Sequence, residues 1–235
     1  MTSCIVGIED VSKIFGSNEH LTPVLKHVSF RAFLGELLLL LGPSGSGKTT
    51  LLTLIAGLLK PTSGVISLFG RDIISYSPRE LQHMRASRIG FIFQTFLLID
   101  SLTVLENVAV VLRFNGKSKK ESYLQSRQLL GKFGIEHLAQ KFPPTLSQGE
   151  KQRVAVARAI AHDAQLIIAD EPTGSLESKQ GFDIIRLLRK YSRDQNRCVI
   201  VASHDLRIVE YADRIIQLED GKILPDRNNM NKKLD

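Results

Sequence analysis

A chain of 235 residues with 43% hydrophobic side chains can bury a sizeable core, and that composition excludes disorder as the default state. Its longest strongly apolar run, Leu37 to Leu41, is far shorter than the ~20 residues a membrane-spanning helix needs, and no basic-then-apolar leader opens the sequence, so a cytoplasmic chain is expected. The net charge of +7 suits anionic ligands, while Cys4 and Cys198, far apart in strand-like contexts, read as reduced thiols rather than a disulfide or metal pair.

In chain order, Cys4 to Ile8 and Val28 to Ala32 read as short strands, the second alternating Val28, Phe30 and Ala32. Glu36 to Leu41 reads as a strand running into a glycine-rich loop, followed by a helix from Lys48 to about Leu58. Val65 to Phe69 is a strand that turns at Gly70-Arg71. Four runs, Leu37–Leu41, Ile89–Phe93, Leu166–Ala169 and Val199–Ala202, are apolar on both faces, as strands of a helix-covered parallel sheet are. Between Gln94 and Gln152 the pattern is helical and strand-poor. Residues 101–141 there hold seven Lys/Arg against three Glu, read as a solvated helical surface. After Asp183, Ile184, Leu187, Leu188 and Tyr191 recur at helical spacing. The sheet closes with Arg214–Leu218 and a turn at Asp220-Gly221, and the residues after Pro225 read as a polar tail. The whole is one α/β domain. An α/β core over 1–93 and 155–224 is interrupted by a helical subdomain over 94–154, and 225–235 is the tail.

Gly42-Pro43-Ser44-Gly45-Ser46-Gly47-Lys48-Thr49, placed directly after an apolar strand, fits G-x-x-x-x-G-K-[ST]. The glycines let successive backbone N–H groups face a triphosphate, and the next helix adds its positive N-terminal end. Lys48 is then placed to reach the β/γ oxygens, and the Thr49 hydroxyl to ligate Mg²⁺, with Thr50 next to it in the nucleotide-contacting run. Leu166–Asp170 supplies the partner strand, ending in a carboxylate at the crevice where α/β sheets bind ligands. Asp170 is the candidate holder of Mg²⁺, and Glu171 the candidate general base for an attacking water.

Leu146-Ser147-Gln148-Gly149-Glu150-Lys151-Gln152-Arg153 resembles the signature of ABC-type ATPases, usually written LSGGQ, with its basic helix. The same residues also read as an S-x-x-E capping box in which Glu150 completes the turn begun by Ser147. The resemblance extends over nearly the whole chain. It implies a P-loop NTPase with a RecA-like core, an N-terminal antiparallel β subdomain and an inserted helical subdomain. It also implies ATP and Mg²⁺ as ligands, and a head-to-tail, ATP-dependent homodimer in which Ser147, Gln148, Gly149 and Glu150 of one copy cap the nucleotide of the other. By the same resemblance Gln94 senses Mg²⁺ and the attacking water, His204 contacts the γ-phosphate, Gly174 to Glu177 form the loop crossing the dimer interface, and Phe15 stacks on adenine. Lys48, Glu171, His204 and Gln94 make up the catalytic set; Thr49, Gln94 and Asp170 are the metal set.

The chain departs from the family pattern at Gln148, which adds bulk at the third signature position, and at Glu150 in the fifth. It departs again at Glu177, one methylene longer than the usual Asp, and Phe15 stands where Tyr is commoner. With Lys48, Asp170, Glu171 and His204 all present, two competent sites per homodimer are expected. Arg88–Gln94 and Leu102–Val108 are similar to the MacB/LolD type, and Ser178–Gly181 with Ser203–Arg214 to DevA-type exporters. That likeness implies an integral membrane permease subunit with a periplasmic adaptor, and a peripheral position on the cytoplasmic face of the inner membrane. An FtsE-like signalling ATPase is the alternative. A nucleic-acid-associated ATPase is disfavoured, because the long coiled-coil or zinc insertions of that class are missing, and no nucleic-acid partner is expected.

Overall fold

A computed structural model of the chain describes residues 3–16, 20–174 and 178–225. Two sheets carry the architecture. Strands β1 (Cys4–Phe15), β2 (Thr22–Phe33), β4 (Ser63–Leu68) and β5 (Arg71–Asp72) form an antiparallel sheet in the order β2-β1-β4-β5. Strands β3 (Leu37–Leu41), β6 (Ile89–Ile92), β7 (Leu166–Asp170), β8 (Cys198–Ser203), β9 (Arg214–Glu219) and β10 (Lys222–Ile223) form the second sheet, in the order β10-β9-β3-β8-β7-β6. All of its pairings are parallel except that of β10 with β9.

The run of five leucines explains how the layers join. Leu37, Leu39 and Leu41 of β3 face one core, while Leu38 and Leu40 face the other. The first core is closed by α3 (Val104–Phe114), α5 (Gln148–Ile160) and α6 (Ser178–Asp194). The second is closed by α1 (Lys48–Ile55) and the antiparallel sheet. A strand buried on both faces has no polar side to alternate, and each of its leucines contributes about 1.5–3 kcal/mol of burial. Its start is pinned as well: Arg214 donates to both oxygens of Glu36 at 3.0 Å, and the Leu37 amide donates to Asp213 at 2.9 Å.

Several expected elements differ in extent. The strand begun at Cys4 continues to Phe15, and its partner starts at Thr22 rather than Val28, because the two pair as a long hairpin through several register shifts. The helix expected to reach Leu58 stops at Ile55, since Gly57 takes φ 64° and lies against Leu81. The turn after β4 falls on Phe69-Gly70, with Arg71 already in β5. The sequence reading did not assign α2 (Pro78–Arg88), a polar helix that buries only Met84. Its signal was local: Ser77 and Glu80 form a reciprocal capping box, with Pro78 at the first helical position. The 94–152 stretch holds α3, α4 (Lys119–Lys132) and α5, with two single 3-10 turns before α5. Residues 175–177 of the anticipated dimer-crossing loop, and the tail from 226 onward, lie outside the described residues.

Asn107 of α3 braces the loop in front of that helix. Its side chain is fully buried; Oδ1 accepts from the Ile99 amide at 2.8 Å, and Nδ2 reaches the carbonyls of Ile99, Leu102 and Thr103 at 3.0 Å. Asn107→Leu keeps the branched outline of the side chain but strands these groups. It should lower the stability read from a urea midpoint by about 2–4 kcal/mol, and an unchanged midpoint would refute the brace.

Candidate functional site

The chemistry-bearing residues gather at the C-terminal edge of the parallel sheet. The loop 42–47 follows β3, Asp170 ends β7 with Glu171 next, and Ser203 ends β8 with His204 next. Because β8 lies between β3 and β7, the sheet order alone brings these three ends together.

The loop's shape depends on two glycines. Gly47 sits at φ 102° as the residue preceding α1, and a Cβ on it would meet Leu25 at 2.8 Å and the Val24 carbonyl at 3.0 Å. At Gly42 a Cβ would lie 2.1 Å from the Leu218 carbonyl oxygen. The backbone N–H groups of Ser44, Gly45 and Gly47 donate to no acceptor among the described residues. Adjoining them are the opening N–H groups of α1, where Lys48, Thr49 and Thr50 stand, and which a helix leaves without partners of its own. Such a cradle of free donors at a helix N-terminus suits phosphate oxygens. Ser46 adds a buried hydroxyl with no partner, while Pro43 is exposed at the rim.

The ammonium of Lys48 is almost wholly buried, donating to the carbonyls of Gly42 at 2.7 Å and Pro43 at 3.0 Å. It also lies 3.6 Å from Glu171 Oε1. The Glu171 carboxylate is the hub of the site. Oε1 is 3.0 Å from His204 Nδ1, and Oε2 accepts from the Ser203 hydroxyl at 3.3 Å. Its backbone is left-handed, with φ 47°, a conformation that costs a residue with a Cβ about 1–2 kcal/mol. A hydrogen bond from the Glu171 backbone N–H to the Ala202 carbonyl, at 2.9 Å, holds it there. His204 is more than half exposed. When Nδ1–H donates to Glu171, Nε2 can donate outward only if the ring carries both protons.

Thr49 donates its hydroxyl to Asp170 Oδ2 at 2.8 Å, and the other carboxylate oxygen, Oδ1, is buried without a partner. Burial pushes the Asp170 carboxyl above the usual carboxylate range, against the opposing pull of the Thr49 bond. An orphaned, desolvated oxygen beside a hydroxyl fits a hard divalent cation. Among the described residues no group of three His, Cys, Asp or Glu side chains could hold a metal alone, so the cation would share its shell with phosphate oxygens, as Mg²⁺ commonly does.

Three anticipated elements stand apart from this cluster. Phe15, at the end of β1, is 40% exposed with the Lys13 ammonium 5.0 Å from its ring centroid. Gln94 is exposed just beyond β6. At the start of α5 the capping box is present: the Ser147 amide donates to Glu150 at 2.7 Å, and the Glu150 amide to the Ser147 hydroxyl at 3.3 Å. The bond from the Ser147 amide holds the Glu150 carboxyl below its ordinary range. Gln148 is exposed in the first turn and Gly149 half-buried beside it. None of these residues shares a hydrogen bond or ion pair with Lys48, Asp170 or Glu171 among the described residues.

Two residues of the site were not singled out from the sequence. Ser203 is fully buried and links Glu171 to the Asp205 amide, at 3.1 Å. Gln152, almost fully buried on α5, donates to the Pro172 carbonyl at 2.8 Å and so ties this helix to the segment after Glu171. The available signal was a glutamine on the same helix as the small apolar residues Val154, Ala155 and Ala159.

The family profile described as ABC transporter matches residues 25–174. An uncharacterized ABC transporter ATP-binding protein of Mycobacterium tuberculosis is 40% identical over 228 residues, covering 97% of this chain and 92% of the relative. HrtA of Staphylococcus aureus, named for hemin import, is 41% identical over 216 residues, covering 92% and 97% respectively. Among solved structures, the dimeric ATP-binding cassette MJ0796 in a post-hydrolysis state with ADP and Pi superposes with a TM-score of 0.89 at 37% identity, covering 94% of this chain and 97% of that one. The structure of cbiO1 from Clostridium perfringens, part of the ABC transporter complex cbiONQ, gives a TM-score of 0.83 at 29% identity, covering 98% and 92%.

Gly42→Ala should displace the loop from the Leu218 carbonyl. Binding of a fluorescent ATP analogue is expected to weaken by at least about tenfold while far-UV circular dichroism stays unchanged. Parental affinity in that variant would contradict the crowding at Gly42.

Proposed function

Since this chain belongs to the ABC transporter ATP-binding family and is an ABC ATPase, we propose that it works as an ATP-dependent, head-to-tail homodimer driving separate integral membrane subunits. The observation that carries the reading is the convergence of Lys48, Glu171, Ser203 and His204 on one point at the sheet edge, beside the phosphate loop. The signature corner lies outside that cluster, which fits a site completed by a second copy. The relatives agree in kind, since the MJ0796 cassette is dimeric with ADP and Pi bound.

In the proposed reaction, water attacks the γ-phosphorus in line, and the bond to the ADP oxygen breaks. Glu171 orients that water and takes its proton. Lys48 gives up its bonds to the Gly42 and Pro43 carbonyls for the triphosphate oxygens, and His204, held by Glu171, turns its outer nitrogen to the γ-phosphate. Thr49 and Asp170, with Gln94 alongside, would hold Mg²⁺, which neutralises charge on the β- and γ-oxygens when bound. Phe15 offers its open face to adenine. Ser147, Gln148, Gly149 and Glu150 cap the partner's nucleotide, with the capping box aiming the helix N-terminus.

Among the described residues no helix is long and apolar enough to cross a membrane, so membrane work is assigned to partner subunits. The likeness of 88–94 and 102–108 to the MacB/LolD type supports an export or mechanical role, and that of the later segments a DevA-like partner with a periplasmic adaptor. The name of the Staphylococcus relative supports a second reading, a transporter handling hemin. Co-purification of the native membrane subunit decides between these readings and an FtsE-like signalling role.

Glu171→Gln should keep ATP binding, lower turnover about 10²–10⁴-fold and accumulate a dimer on size-exclusion chromatography with ATP. Parental turnover in this variant would remove Glu171 from the role of base.

A further inference from the structure

The loop between Gln94 and α3 contains two successive residues, Phe96 and Leu97, with left-handed backbones at φ 61° and 45°. Neither is glycine, and each such conformation costs about 1–2 kcal/mol unless something holds it. Arg158, near the end of α5, donates Nη2 to the Phe96 carbonyl at 2.7 Å and Nη1 to the Leu97 carbonyl at 2.5 Å. No carboxylate among the described residues pairs with this guanidinium, and burial shifts its pKa downward with no compensating charge. A half-buried cation that spends both ends of its fork on two backbone carbonyls, each belonging to a left-handed residue, fixes the shape of that loop.

The helix that carries Arg158 also carries the Ser147 cap at its start and Gln152 in its second turn, bonded to the carbonyl next to Glu171. From Ser147 to Arg158 is eleven residues, about 16 Å along one rigid helix. We propose that Arg158 is a positioning residue that makes the segment after Gln94 move with α5, so that docking of a partner copy at Ser147 is felt at Gln94 and Pro172 together. The inference deepens the function proposed above and rests on it. Helix α5 then acts as a rod with three attachments. The Arg158 fork is the attachment that can be cut without touching the signature corner or the segment next to Glu171. Exposed Leu97 and Ile99, at 54% and 43%, lie in the segment that the fork sets.

The test uses the full chain with Arg158→Met, Arg158→Lys, Leu97→Gly and the Arg158→Met/Leu97→Gly double variant. Two readouts are taken: amide hydrogen exchange over residues 95–99, and kcat and KM for ATP. Arg158→Met should speed exchange in that segment on the order of tenfold and lower kcat by a similar factor, with KM for ATP changed less than about twofold. Arg158→Lys, able to reach one carbonyl at a time, should fall between. Glycine adopts positive φ without penalty but cannot replace the tie of the fork to α5, so Leu97→Gly should leave both losses in the Arg158→Met background. Parental exchange and kcat in Arg158→Met would overturn the inference. So would full recovery of kcat in the double variant, because the loss would then come from the strained shape of the loop and not from its tie to α5. A parent chain that hydrolyses no ATP would instead defeat the function proposed above, and the exchange arms would still judge the clamp.

Discussion

One buried cluster of charge governs this molecule: a single ammonium, Lys48, set among two carboxylates, Asp170 and Glu171. Desolvated charges are tolerated only when paired, and here the pairing is incomplete. Lys48 is shared between Glu171 and two carbonyls of its own loop, while one oxygen of Asp170 has no partner. The site therefore carries an excess of buried negative charge and a ring of idle N–H donors. A triphosphate with a divalent cation would satisfy both at once, with the loop's donors open to the anion and Asp170 to the cation. The fold holds this imbalance in place by burying the strands that end in it on both faces.

Three of the nine non-glycine residues with left-handed backbones among the described residues stand on the segments that follow β6 and β7. Glu171 is left-handed at the end of β7, and Phe96 and Leu97 are left-handed beyond β6. Each is held by a named bond from a rigid element: the Ala202 carbonyl for Glu171, and the Arg158 fork for the pair. Strain held by a neighbouring element makes the local shape depend on that element's position. The same helix supplies the Arg158 fork, the Gln152 bond and the Ser147 cap.

Much of this was legible in the sequence because the demands are local. A leucine run with no polar face signals a doubly covered strand, and glycines at 42, 45 and 47 before Lys48-Thr49 signal a loop that curls around phosphate. The box of Ser147 and Glu150 was readable from spacing alone. The same spacing occurs at Ser77/Glu80, Thr103/Glu106 and Ser118/Glu121, and it marks the starts of α2, α3 and α4. Helix α2 is hidden from a reading of periodicity because it is polar and buries only Met84. Ser203, Gln152 and Arg158 could not be found by pattern, since their partners lie 32, 20 and 61–62 residues away and act through backbone carbonyls or one side-chain bond. The meeting of strand ends comes from strand order, which no local spacing encodes.

The central claim is that a working site needs two copies of the chain. The most direct measurement is ATP hydrolysis by the purified chain over a protein-concentration series at saturating Mg-ATP. Activity per molecule should rise with concentration and level off as the dimer saturates. Activity per molecule that stays constant down to concentrations where the chain sediments as a monomer in the presence of ATP would contradict it.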